Sequence, residues 1–122
     1  MSTAGFPNET ATRLLLRQLT PLEREQGAAY LYARLLLSTD RLSFPHVLIE
    51  IPWDQAALAF IDRQPDANWS HPARYVLVDL VRGASRSYDA SFPPFQPAQP
   101  GDWRLLYRAP GVPEAVLLIK GV

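Results

Sequence analysis

The sequence predicts a small α+β domain. Its elements run in the order α-α-β-α-β-β-β, with a mixed sheet of about four strands carrying helices mainly on one face. Three observations carry that prediction. The run from Tyr75 to Val81 is the most apolar, β-branched stretch of the chain and lies between turn signals at Pro72 and Gly83, which reads as a strand buried on both faces. Thr20-Pro21-Leu22-Glu23 has the form of a helix start, with a capping hydroxyl, a proline at the first helical position and a glutamate completing a capping box. Twelve prolines fall mostly between apolar segments and divide the chain.

Taken in order, residues 1–7 read as a frayed tail. Asn8 can cap a short helix through Leu19, with Glu9 near its positive end. The helix opened by Thr20 is expected to run to about Ser38. Gly27 weakens it by roughly 1 kcal/mol relative to alanine, and its second half is apolar nearly all round. That surplus apolar surface asks for a second partner. His46 to Ile51 alternates as a strand covered on one face. Trp53, Ala56, Ala57, Phe60 and Ile61 recur at helical spacing and predict a third, amphipathic helix ending at Gln64-Pro65. The connection from this strand to Tyr75–Val81 is long enough for a parallel crossover. Residues 83–101 read as one long proline-rich connection. Residues 102–108 and 114–120 then form a terminal hairpin.

At 122 residues the chain is the size of one domain, 1–122. With no cysteine it has no disulfide, thiolate zinc site or cysteine nucleophile, which fits a reducing compartment. Twelve basic residues, eleven of them arginine, balance twelve acidic ones, so the basic surplus of a typical nucleic-acid binder is missing. No basic leader with an apolar core opens the chain, and no apolar run approaches the ~18 residues of a membrane span. These features lead us to expect a cytoplasmic protein without a membrane partner. They leave nucleic acid a trailing reading, carried by Arg74, Arg82, Arg86, Arg104 and Arg108.

No catalytic, metal or cofactor motif rises above background, and no cofactor is expected. The charged strand residues Glu50, Asp79, Arg104 and Lys120 could meet on one sheet face, as an acid–base pair does or as a ladder of surface ion pairs does. Asp79 stands out, because burial on both faces would force it to find a partner. His46 and His71, with Glu50 or Asp66, could form a two-histidine, one-carboxylate site, and His71 could act as a base. A Ser-His-Asp set can be drawn from Ser85 or Ser87, His71 and Asp79, but no Gly-x-Ser-x-Gly elbow exposes the serine. Arg82, Ser85 and Arg86 form a small anion-binding candidate that lacks the pattern of a nucleotide loop.

The first functional expectation is therefore a non-catalytic domain that contacts a protein partner or a second copy of itself. Its contact residues would be Tyr30, Tyr32, Trp69, Phe92 and Phe95. The alternative is a small enzyme or ligand-binding domain with a pocket between the second helix and the sheet, using Asp79, His71 and Arg82.

Overall fold

The computed structural model describes residues 8–67, 70–96 and 99–119. The expected tail, Trp69 and Lys120 lie outside them. Two helices, α1 (Asn8–Arg17) and α2 (Pro21–Gln26), precede seven strands. These are β1 (Ala28–Leu37), β2 (Arg41–Phe44), β3 (Val47–Glu50), β4 (Gln55–Asp62), β5 (Ala73–Asp79), β6 (Ser85–Ala90) and β7 (Trp103–Arg108). Five of them make one sheet in the order β6-β5-β4-β1-β7, while β2 and β3 form a separate hairpin. Every pairing is antiparallel. The fold is α+β, as the sequence indicates, but among the described residues the main sheet has five strands and no parallel crossover.

The helix expected over residues 21–38 is a one-and-a-half-turn helix followed by a strand. The capping box forms as read: Thr20 Oγ1 accepts from the Glu23 N–H at 3.1 Å, and Glu23 Oε1 accepts from the Thr20 N–H at 2.9 Å. Gly27 ends the helix rather than merely weakening it. Its N–H donates to the Glu23 carbonyl, and a Cβ there would lie 2.8 Å from that oxygen and 3.0 Å from the Asp62 carbonyl. The backbone is thus free to turn directly into β1. Most of the surplus apolar surface of residues 28–37 finds its partner inside the monomer: β1 lies between β4 and β7, Ala28 to Leu31 are buried within the sheet's two layers, and Leu37 at the far end stays exposed. A strand of that kind is apolar all round, just as a buried helix is.

The third helix is likewise a strand, β4, at the centre of the sheet and buried from Ala56 to Asp62. A segment that is apolar at almost every position satisfies the helical spacing and the strand spacing alike, so its period carries no information. Tyr75–Val81 is found as β5, Ala73–Asp79, buried at every position but one place away from the sheet centre. His46–Ile51 contributes β3, which pairs with β2 across the tight turn at Pro45-His46 and stays out of the main sheet. His46 holds that turn with a positive φ of 62°, a left-handed conformation uncommon outside glycine that Asn, Asp and His adopt more readily than other residues.

Two apolar layers sandwich the sheet. Ala11, Leu15 and Leu19 of the helical segment pack with Ala29, Leu31, Ala57, Ala59, Ile61, Val76 and Val78 on one face. Tyr30, Leu58, Phe60, Tyr75 and Leu77 line the other, beneath Ile49 and Ile51 of the hairpin region and Leu117 and Leu118 of the C-terminal segment. Among the described residues of the expected last strand none is extended into a strand: a short 3-10 turn at Glu114–Val116 leads into Leu117 and Leu118, which cap this face, and the Leu118 N–H donates to Tyr30 Oη at 2.9 Å.

The proline-rich connection is shorter than expected, because Ser85–Ala90 is edge strand β6. What remains must carry the chain from one sheet edge to the other. Four strand spacings make that about 19 Å, and the chain turns on the way, with Gln96 and Gln99 paired as an isolated antiparallel bridge and the Gln99 N–H donating to the Gln96 carbonyl at 2.8 Å. Phe95 anchors the crossing on the sheet, with its ring 5.8 Å from that of Tyr30 and 5.7 Å from that of Trp103.

Candidate functional site

The ionisable groups at the beginning of β5 are wholly committed to the fold. Glu23, 2% exposed, takes two hydrogen bonds of 2.8 Å from Arg74, one to each carboxylate oxygen. Arg63 Nε adds a third at 2.9 Å. Arg74 also donates to Ser87 Oγ and to the Gln18 carbonyl, both at 2.7 Å. One guanidinium therefore ties α2, the end of α1, β5 and β6 together. Burial alone would raise the Glu23 carboxyl; the Arg74, Thr20 and Arg63 hydrogen bonds and the Arg74 charge outweigh it and hold it at about 2.

His71 and Asp62 form a second buried pair, with Nε2 2.7 Å from Oδ1 and side-chain exposures of 5% and 1%. Asp62 Oδ1 also accepts from the Gln64 N–H, which ties down the start of the β4–β5 connection. Burial pushes the Asp62 carboxyl upward, and the His71 and Gln64 hydrogen bonds draw it only part of the way back. His71 lines an open hollow of about 390 Å³ with Arg63, Ser70, Asp89 and Ser91. His46 lines the adjoining stretch beside Phe92, whose ring lies 6.2 Å away. The two histidines thus face neighbouring parts of one groove. Among the described residues, however, no three His, Asp or Glu groups gather as a metal site would need.

The other constellations drawn from the sequence do not assemble. Glu50 is exposed and pairs with Arg41 at 3.2 Å, and Arg104 donates to the Gly101 and Trp103 carbonyls. Neither approaches Asp79, because β3 is not part of the main sheet and β7 lies at its far edge from β6. The Ser-His-Asp set fails because the carboxylate bonded to His71 is Asp62, while Ser87 is engaged by Arg74 and Ser85 by Gln18. The anion-binding loop is also dispersed. Arg82 belongs to the β5–β6 turn, whereas Ser85 and Arg86 lie in β6, with the Arg86 guanidinium 5.9 Å from the Trp53 ring centre.

Asp79 closes β5 in a different way from the groups that open it. It is 4% exposed, and its Oδ1 accepts from the Val81 N–H at 2.9 Å. This turn also carries backbone bonds from Asp79 N–H to the Ala84 carbonyl and from the Gly83 N–H to the Asp79 carbonyl, both 2.8 Å. Gly83 completes it with a φ of +80°, which a side chain would strain. No cation pairs with Asp79, and its second oxygen has no hydrogen-bond partner among the described residues. Asp79 lines a cleft of about 210 Å³ with Pro52, Trp53, Asp54, Val81 and Arg82. The pocket expected between the second helix and the sheet is not formed among the described residues, because most of that helix, Ala28–Leu37, is strand β1 of the sheet itself. Asp79 and Arg82 meet elsewhere, without His71.

The expected contact residues divide by burial. Tyr30 is fully buried, accepts from the Leu118 N–H and offers a partner nothing; burial pushes its hydroxyl up to about 12. Tyr32, Phe92 and Phe95 are half-buried. Tyr32 and Phe95 flank the buried Trp103 of β7, with ring centres 5.2 and 5.7 Å from it. Phe92 stands apart, beside His46.

Sequence reasoning missed Glu23 as a buried charge, Arg74 as its partner, and Asp62. The available signal was position: Asp62 and Asp79 each end a continuous apolar run, and in both cases the carboxylate caps the turn that follows. Comparison with family models, with curated proteins and with solved structures finds no match to this chain. No helix among the described residues is long and apolar enough to cross a membrane.

Proposed function

We propose that this protein is a non-catalytic interaction domain that receives an extended segment of a protein partner along β7. The observation that carries the reading is an unpaired sheet edge beside half-exposed aromatic surface. Among the described residues β7 pairs only with β1 and its outer edge is open, and Tyr32, Phe95 and Leu105 stand half-buried next to it. An open edge supplies backbone hydrogen bonds to an added strand, and neighbouring aromatic side chains supply contact area. Exposed Arg104 and Arg108 favour an acidic segment. Tyr32 and Phe95 both pack on Trp103, so the surface is held in place before binding.

Site-directed photo-crosslinking tests this. A crosslinking side chain at position 105 or 95 should yield a discrete adduct, while the same group at the exposed Leu48 of the hairpin should not. The adduct's mass distinguishes a second copy of the chain from another protein. Equal labelling from all three positions, or none from 105 and 95, sinks the proposal.

A further inference from the structure

We propose that the cleft between Pro52-Trp53-Asp54 and the β5–β6 turn binds a small zwitterion of the α-amino-acid class. Its ammonium would lie at Asp79 and Asp54, and its carboxylate at Arg82.

The argument begins with Asp79. A carboxylate 4% exposed normally has a compensating cation or a full set of donors, as Glu23 does. Asp79 has one backbone donor, on one oxygen. Burial here is not enforced by a buried ion pair, and the residue faces the cleft rather than the core. The second observation is that the other charges of the cleft, the exposed Asp54 and Arg82, are also uncommitted. Neither Asp54 nor Arg82 has a hydrogen bond or ion pair among the described residues, although both line the same small space as Asp79. Opposite charges do pair at Arg34–Asp102, Arg41–Glu50 and the Glu23 cluster, whereas in this cleft a guanidinium and two carboxylates line one space without pairing.

The charges select the ligand class. A simple cation would satisfy the two carboxylates and be repelled by Arg82. A simple anion would satisfy Arg82 and be repelled by both carboxylates. A ligand bearing both signs satisfies all three groups, and the planar guanidinium suits a carboxylate bound through both oxygens. At about 210 Å³ the cleft is smaller than the sites that take drug-sized ligands. Trp53, Pro52 and the exposed Val81 provide an apolar wall for the ligand's side chain. The Arg86 guanidinium near the Trp53 ring helps to fix that wall in orientation. This site is separate from the β7 edge, so its test and the crosslinking test succeed or fail independently.

The experiment is a titration of the whole chain by heteronuclear NMR, following the Trp53 indole N–H and the Val81 amide. Free amino acids of graded side chain are added, then the N-acetyl and methyl-ester forms of the best one. The expected result is saturable shifts from at least one free amino acid, weakened about tenfold or more by either cap. Asp79→Asn and Arg82→Gln should each weaken binding by a similar factor while leaving the remaining spectrum in place. Absence of saturable shifts from every free amino acid at about 10 mM overturns the proposal. So does undiminished binding by either capped form, or binding that both variants leave unchanged.

Discussion

The two ends of β5 handle charge in opposite ways. At its start, Arg74 is bonded to Glu23, Ser87 and the Gln18 carbonyl, and Glu23 is bonded to Arg74, Arg63 and the Thr20 N–H. At its end, Asp79 keeps one oxygen free and has two unpaired charged neighbours. Both regions are polar interruptions of a strand buried at every position. The first closes on itself and holds helices to sheet. The second stays open, and open charge is where a ligand can contribute something that the fold has not already supplied.

The largest effect should come from breaking the closed end. Glu23→Gln leaves Arg74 buried with a neutral partner, and about 3–5 kcal/mol of unfolding free energy should be lost. Urea denaturation measures it. Replacing Arg74 by Met in the same chain should recover part of that loss, because the uncompensated charge is then gone. A loss below about 1 kcal/mol in Glu23→Gln would mean that the network is ornamental and the contrast between the two ends is false.

Titration sharpens the same point. The Glu23 carboxyl is depressed from 4.5 to about 2 in the folded protein, so its contribution is present above the unfolded value and disappears as pH falls through the folded one. The shift corresponds to roughly 3 kcal/mol. The Asp62 carboxyl is shifted the other way: its contribution is complete below the unfolded value and is lost as pH rises through the raised folded one. Stability measured by urea denaturation from about pH 5 down to about pH 2 should fall steeply in the wild type and much less in Glu23→Gln.

Two buried tyrosines repeat the contrast on a smaller scale. Tyr30 Oη accepts from the Leu118 N–H, whereas Tyr75 Oη is buried without a hydrogen-bond partner among the described residues, its ring stacked on Phe44 at 4.8 Å. Tyr30→Phe strands a buried N–H and should cost about 1–2 kcal/mol. Tyr75→Phe removes an unsatisfied hydroxyl and should leave stability unchanged or raise it by up to about 1 kcal/mol. Thermal and urea melts of the two variants should therefore move in different directions.

How much of this was legible depends on how far apart the partners lie. The capping box at Thr20 and Glu23 was readable because its two residues are three positions apart. The Arg74 that completes Glu23 is 51 positions away, and nothing local announces it. β5 was readable because its valines are flanked by turn signals. β1 and β4 were not, since Ala- and Leu-rich segments buried on both faces satisfy helix and strand patterns equally. Asp79 and Arg82 were both singled out, but their cleft was invisible while Trp53 and Asp54 were assigned to a helix start. Once residues 55–62 are a strand, Pro52-Trp53-Asp54 becomes the link that stands opposite the β5–β6 turn.

The smallest expected effect on stability is the most informative. Asp79→Asn keeps an oxygen to accept from the Val81 N–H, so the turn after β5 survives, and no ion pair is broken because none exists. Its unfolding free energy should change by no more than about 0.5–1 kcal/mol. That sets it apart from Glu23→Gln, although both residues are almost fully buried carboxylates. A loss of several kcal/mol would show that the Asp79 charge is bound into the fold after all, and the two ends of β5 would be alike. A near-neutral change means that the charge can be removed without harm to the structure that holds it. A buried carboxylate that the fold can do without is one that something outside the fold is free to use.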